Sequence, residues 1–324
     1  MITLVREKPG RNGTAGGTAK RLRRGAAVAV SAGVVLTLSP MAAPAQAADA
    51  PSVTAKGVFL HDNSAGVKLY GKDTEGKRPI ASTTKIMTAR VVLGDPDLDL
   101  DRRVTVQQAY RDYVAQKGAS TADLRTGDKL TVRQLLYAMM LPSGCDAAYA
   151  LADTFGDGST RAARVASFIG KMNSTADALG MTNTKFDSFD GVSATGENYS
   201  TPRDLVKVTR SAMKYGTFAN AAAKQSLVKS VPTSNGGTRT YTWYNTNQLL
   251  GSYSGAHGVK TGTTTPSGPC LVFTATRDGR NIIGVILNDA NRYTDAAKLL
   301  DYAFGSNTAS TMKLRKLPEG AQRD

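Results

Sequence analysis

Short apolar blocks beside turn residues occupy both ends of the chain, while apolar positions three and four apart dominate its middle. Val58-Phe59-Leu60 and Val67-Lys68-Leu69-Tyr70 read as strands around Asp62-Asn63-Ser64-Ala65-Gly66, a hairpin with its turn chemistry in place. Pro79 precedes a helical pattern over 82–93, which Gly94-Asp95-Pro96 stops. Thr105-x-x-Gln108 and Thr131-x-x-Gln134 each form a capping-box signature ahead of a periodic segment. Leu141-Pro142-Ser143-Gly144 interrupts the second, and a new helix is expected over 145–155. Ser159 is the expected cap of a long amphipathic run ended by Gly180. Thr201-Pro202 opens another, with proline at the first helical position. Residues 259–262, 271–276 and 281–287 read as strands, the last two joined at Asp278-Gly279. A helix over about 291–304 follows. No internal repeat is visible. The pattern predicts an α/β protein with one sheet drawn from both ends of the mature chain. Residues 48–94 and 250–305 form the α/β region, 95–249 an inserted all-helical region, and 306–324 a polar tail.

Composition narrows the class. With 41% hydrophobic and 21% charged residues the chain is globular, which excludes disorder, collagen and coiled coil. Two cysteines are too few for a disulfide scaffold or a Cys-rich zinc module. Two histidines, His61 and His257, lie far apart with no H-E-x-x-H, so no metal and no other cofactor is expected. The net charge is +15, and seven of the 41 basic residues but only Glu7 of the 26 acidic ones fall in 1–47. The remaining 34 against 25 leave +9, without a dense Lys/Arg block. A nucleic-acid partner is not expected, whereas peripheral association with an anionic cell surface suits the charge.

The N-terminal segment reads as an address. A basic block at Lys20-Arg21-Leu22-Arg23-Arg24 precedes an apolar run over 26–38 that is too short to span a bilayer. Pro40 ends that run, and Ala45-Gln46-Ala47 is a small-x-small cleavage signal. Residues 1–47 are therefore expected to be a secretory signal peptide, with the mature chain outside the membrane. Arg23-Arg24 lacks the flanks of a twin-arginine signal, so the general secretory route is expected. Residues 306–324 contain no long apolar stretch, which argues against a C-terminal membrane anchor, and they are expected to be solvated.

The chain has no G-x-S-x-G, and His257 has no assignable nucleophile or orienting acid. S-x-x-K at one helical turn puts serine and lysine within hydrogen-bond reach. It occurs at Ser82/Lys85, Ser211/Lys214, Ser226/Lys229 and Ser310/Lys313. Context selects Ser82, because it opens a helix, where backbone N–H groups favour developing negative charge. It is also followed in order by Ser143-Gly144-Cys145 and by Lys260-Thr261-Gly262-Thr263, the chain's one K-T-G.

The order S-x-x-K, S-x-(polar), K-T-G resembles that of the penicillin-binding proteins and serine β-lactamases. The chain is similar to the low-molecular-mass penicillin-binding proteins that act as D-alanyl-D-alanine peptidases, in particular the secreted DD-transpeptidase/carboxypeptidases of actinomycetes. The likeness runs over about 58–304 and includes Phe186-Asp187-Ser188-Phe189-Asp190-Gly191, Tyr199-Ser200-Thr201-Pro202 and Asn245-Thr246-Asn247-Gln248-Leu249-Leu250. The family's second motif is usually S-x-N. Here Ser143-Gly144-Cys145 takes its place, as in the actinomycete type, and a thiol cannot reproduce an amide's paired donor and acceptor.

The resemblance implies a β-lactamase-like fold with an antiparallel sheet, and acyl transfer through a covalent intermediate. Ser82 attacks the D-Ala-D-Ala carbonyl of a peptidoglycan stem peptide. Lys85 takes its proton, which requires a neutral amine favoured by burial and by Lys260. Ser143 relays a proton to the leaving amine. The backbone N–H groups of Ser82 and Thr263 form the oxyanion hole. Lys260, Thr261 and Thr263 bind the terminal carboxylate, and Gly262 lets the substrate lie along the strand. Cys145 borders the site, where lysine ammonium groups are expected to lower its pKa and raise its reactivity. Water then gives carboxypeptidation and an amine gives transpeptidation, while a β-lactam stays attached as a covalent inhibitor.

A β-lactamase shares these motifs but needs a deacylating carboxylate, and Glu197, the one glutamate between Glu75 and Glu319, lacks the E-x-x-L-N context. A covalent β-lactam sensor normally needs a membrane-spanning segment. A non-catalytic wall-binding protein leaves the Ser82/Lys85/Lys260 set unexplained. Cys145 and Cys270 are expected as unbridged thiols, since a disulfide in the cleft would obstruct substrate. The expected state is a secreted monomer on the cell-wall side of the membrane.

Overall fold

The computed structural model describes residues 49–322. The expected signal peptide and its cleavage site lie outside the described residues. The chain enters a hairpin, β1 (Gly57–Asp62) and β2 (Val67–Lys72), closed at Gly66 (φ 73°). It passes a short strand β3 (Arg78–Pro79) and a 3₁₀ turn over Ala81–Thr84 into α1 (Lys85–Leu93). Most of the helices follow: β4 (Arg103–Thr105), α2 (Gln108–Lys117), β5 (Lys129–Thr131), α3 (Val132–Met140), α4 (Cys145–Phe155) and α5 (Arg161–Ala178). Next come β6 (Tyr199–Ser200), α6 (Pro202–Ala212), α7 (Gly216–Ala223) and the hairpin β7 (Ser226–Pro232) and β8 (Thr238–Tyr244). Strands β9 (Ala256–Thr264), β10 (Gly268–Arg277) and β11 (Arg280–Leu287) precede α8 (Arg292–Phe304).

The main sheet has five strands in the order β2-β1-β11-β10-β9, antiparallel throughout. Its two ends come from the two ends of the chain, as the apolar pattern predicts. The register sets Gly57 opposite Leu287 and Leu271 opposite Ile286. Successive side chains alternate between faces. Val58, Leu60, Leu271, Phe273, Ile282 and Ile286 pack against Ala296, Leu299, Leu300 and Ala303 of α8. Phe59, Val272, Ile283 and Val285 belong to the larger core on the opposite face, with α1, α3, α4 and α6. Strands covered on both faces read as continuous apolar runs, and β1 is buried along its whole length.

Four local expectations change. Thr131 and Gln134 form the predicted capping box, but Thr105 is extended in β4 opposite Lys129, so α2 begins after Gln107 without a side-chain cap. Thr160 rather than Ser159 caps α5, accepting from Ala163 N at 3.2 Å. Residues 95–249 are mostly helical but not all-helical, because they hold the ribbons β4–β5 and β7–β8. In β7–β8 an Asn235-Gly236 turn joins strands buried at Val231, Tyr241 and Trp243. The tail after α8 is tethered to the fold, although none of its described residues is buried. Asp301 accepts from Thr308 N at 2.8 Å and Ala309 N at 2.7 Å, and Arg315 bonds the loop after β8. No described helix is long and apolar enough to cross a membrane.

Candidate active site

Ser82 sits on the 3₁₀ turn where β3 meets α1, a place whose first N–H groups lack intrahelical acceptors. Ala81 has φ 45°, a left-handed conformation that holds the turn tight at about 1–3 kcal/mol of local strain. Two glycines admit this turn. A Cβ on Gly191 (φ 96°) would lie 2.0 Å from Ala81 O, and one on Gly262 of β9 would lie 2.7 Å from Ser82 N. Gly262 is expected from its motif to give substrate room along the strand. Here its missing side chain lets β9 touch the serine's own backbone.

Residues three apart eclipse on a 3₁₀ turn, so Lys85 reaches back over Ser82. Its Nζ donates to Ser82 Oγ at 2.9 Å, to Asp190 O at 2.9 Å and toward Cys145 Sγ at 3.3 Å. Lys85 is completely buried. Asp190 in turn accepts from Tyr113 OH at 2.9 Å and Val192 N at 2.9 Å, which fixes the carbonyl that Lys85 uses.

The second motif forms the turn between α3 and α4. Ser143 takes φ 64°, and its Oγ is buried with no hydrogen-bond partner. The left-handed backbone of Ser143 carries a local cost of about 1–3 kcal/mol. Cys145 opens α4 with its N–H donating to Ser120 O at 2.8 Å. Its thiol lies 3.3 Å from Lys85 Nζ and 3.8 Å from Ser143 O. Burial pushes the thiol pKa well above its ordinary 9.0, and the Lys85 charge that pulls it down is outweighed. The expected acidic cysteine is thus overturned. Neither cysteine is in a disulfide, and both are buried.

The third motif lies on β9, the edge strand of the sheet. Lys260 is buried, with Nζ donating to Thr261 O at 3.0 Å. Thr261 Oγ1 is 2.6 Å from Thr246 Oγ1. Thr263 is exposed at the cleft, and Arg292 Nη1 donates to its Oγ1 at 3.1 Å, to Gly262 O at 3.2 Å and to Cys270 O at 3.1 Å. The fold therefore brings the Ser82/Lys85 turn against Cys145 on one side and Gly262 on another.

Asp190, Asn198, Thr246 and Arg292 join the site without any local sequence signal. Asn198 Nδ2 donates to Thr84 Oγ1 at 2.7 Å, and its Oδ1 is buried without a partner. It lines a cavity of about 380 Å³ with Ala81, Val192, Thr264 and Pro266, next to Ser82. The rival groups are occupied elsewhere. Ser211 Oγ accepts from Arg90 Nε at 2.7 Å, His257 is bonded to Thr276 at 2.8 Å, and Glu197 pairs with Lys185 at the surface.

A serine on a helix-opening turn, a buried lysine on its hydroxyl and a K-T-G edge strand against its backbone define a serine acyl-transfer enzyme of the penicillin-recognising fold. A family model described as D-alanyl-D-alanine carboxypeptidase, peptidase family S11, matches residues 44–291, and the chain belongs to that family of serine DD-peptidases. The chain is 51% identical over 289 residues to a D-alanyl-D-alanine carboxypeptidase of Streptomyces sp. strain K15, covering 88% of this chain and 99% of the relative. The crystal structure of the Streptomyces K15 DD-transpeptidase superposes with a TM-score of 0.77 at 54% identity, over 79% of this chain and 98% of that one. A D-alanyl-D-alanine carboxypeptidase structure from Mycobacterium tuberculosis superposes with 0.71 at 31% identity, over 85% of this chain and 99% of that one.

Proposed function

We propose that Ser82 is the nucleophile of a penicillin-sensitive DD-peptidase acting on D-Ala-D-Ala-terminated peptidoglycan stem peptides outside the membrane. The observation that carries this reading is the 2.9 Å contact between Lys85 Nζ and Ser82 Oγ in a buried setting. Ser82 Oγ attacks the carbonyl carbon of the terminal peptide bond, and Lys85 takes its proton. The N–H groups of Ser82 and Thr263 receive the oxyanion. Lys260, Thr261 and Thr263 hold the terminal carboxylate, with Arg292 bracing Thr263. The tetrahedral adduct collapses by breaking the C–N bond, and Ser143 passes the proton to the departing D-Ala amine. The acyl-serine then yields to water or to an amine, and the 380 Å³ cavity beside Ala81 offers room for the donor peptide.

A β-lactam enters by the same attack, but its leaving amine stays tethered. Glu197 is at the surface and paired with Lys185, so it does not supply a deacylating base, which favours a DD-peptidase over a β-lactamase. The same slow deacylation keeps a covalent β-lactam sensor as the second reading. The test is to incubate the purified protein with an N-acyl-D-Ala-D-Ala peptide, with and without an amine, and to resolve products by mass. Loss of one D-Ala, with an amine adduct when amine is present and neither product from Ser82→Ala, is the expected result. Penicillin acylation without any peptide turnover would instead make the protein a sensor.

A further inference from the structure

The segment after α8 docks at Arg315 on a loop that meets the third motif and the residue Leu141 ahead of the second. Arg315 forms the junction. Its guanidinium donates to three carbonyls, Asn245 O at 2.7 Å, Asn247 O at 3.1 Å and Leu250 O at 3.0 Å. Its backbone N–H donates to Ser252 Oγ at 2.7 Å, and its carbonyl accepts from Gln248 Nε2 at 2.8 Å. A planar fork suits several carbonyls at once, which an ammonium point charge does not.

Thr246 lies between the first two of those carbonyls. Its N–H donates to Leu141 O at 3.1 Å, just before the Ser143 turn, and its own carbonyl accepts from Tyr293 OH at 3.1 Å. Its side chain meets Thr261 Oγ1 at 2.6 Å. Between two hydroxyls only one proton lies on the shared axis. When Thr246 donates, the Thr261 proton is released to point at a bound carboxylate.

We propose that Arg315 is a positioning residue for carboxylate recognition. By gripping the carbonyls on either side of Thr246 it holds that hydroxyl on Thr261, and so directs the Thr261 proton toward the substrate. The proposal rests on the reading that Thr261 contacts the terminal carboxylate. That reading has its own control, Thr261→Val.

The measurement compares second-order acylation by benzylpenicillin with acylation by its methyl ester, followed as intact-protein mass. A general loosening of the fold slows both alike, whereas loss of the carboxylate contact slows only the acid. Arg315→Leu and Thr246→Val are each expected to lower the acid-to-ester ratio about tenfold, near the value of one hydrogen bond to a charged group. The double variant is expected to lose no more than either alone, and Arg315→Lys to recover part of the ratio. Thr246→Val preserves every Arg315 contact, so it tests the link even if Arg315→Leu folds poorly. An unchanged ratio in Arg315→Leu, whether both rates fall or neither does, overturns the proposal. A ratio lowered by Arg315→Leu but not by Thr246→Val overturns the route through Thr246. If Thr261→Val leaves the ratio intact, the reading of Thr261 fails instead.

Discussion

Gly262 faces the backbone of Ser82 so closely that a Cβ at Gly262 would lie 2.7 Å from Ser82 N and 3.1 Å from Thr83 N. The strand that carries K-T-G and the turn that carries Ser82 are therefore one contact, set by the absence of a side chain. Gly262→Ala must push β9 away from the turn and separate the N–H of Ser82 from that of Thr263. Acylation by penicillin should slow about 10²-fold, the value of a lost oxyanion donor. Stability should fall by about 1–3 kcal/mol, the usual cost of overpacking. A stopped-flow acylation rate within threefold of the parent would count against the geometry.

Ser82 should be the sole acylation site. Of the other S-x-x-K serines, Ser211 is bonded to Arg90, and Ser226 and Ser310 are exposed. Fluorescent penicillin followed by peptide mapping should place all label on the Ser82 peptide and none on the Ser82→Ala protein.

Cys145 should be a slow thiol at neutral pH, because burial pushes its pKa up. The folded protein holds the thiol proton more tightly than the unfolded chain. That contribution to stability is complete below pH 9.0 and is lost as pH rises toward the folded value. Labelling by a small thiol reagent should keep accelerating past pH 9, and a plateau below pH 8 would refute the assignment. Once modified, Cys145 should block penicillin acylation, since its Sγ lies 3.3 Å from Lys85 Nζ. Cys145→Ala should resist the reagent, with Cys270 as the remaining thiol control.

Asp301 should make the tail acid-labile. Burial opposes its charge, but together the N–H of Ala309 and the hydroxyls of Thr308, Ser306 and Tyr253 hold the carboxyl below its ordinary 3.8. Its contribution is therefore present above pH 3.8 and is lost as pH falls through the folded value. Asp301→Asn should lower Tm near pH 7 by about 2–4 °C per kcal/mol lost. The gap to the parent should narrow toward pH 3. A gap that stays constant across that range would show that the carboxylate charge is not what holds the tail.

The strand–helix alternation was legible where local chemistry and burial agree. Asp278-Gly279 marked the β10–β11 hairpin, and both residues take positive φ, 48° and 76°. The Ser82–Lys85 pair was legible because it is local, three residues on one turn. The β7–β8 hairpin carried a readable signal, Asn235-Gly236 between β-branched and aromatic residues, but its strands bury few side chains and weaken the pattern. Thr105 misled because its capping spacing competes with strand pairing to Lys129, which only the fold decides. Asp190, Thr246, Arg292 and Arg315 had no local signal, since each acts through residues that only the tertiary fold brings near. The elevated Cys145 pKa was missed for a related reason: neighbouring lysines can be counted from motifs, whereas desolvation depends on the packed core.

The sheet order β2-β1-β11-β10-β9 also dictates when the enzyme comes into being. Ser82 and Lys85 stand early in the mature chain, whereas β9, which packs directly on their turn, is held in the sheet by β10, and β11 is seated by pairing Gly57 with Leu287. A chain that ends just after Lys260 contains Ser82, Lys85, Ser143 and Lys260 but lacks the strands that hold β9 in the sheet. Such long-range pairing forms late and slowly. The Ser82 turn and the K-T-G strand thus share a frame that exists only once strands from both ends of the mature chain have paired.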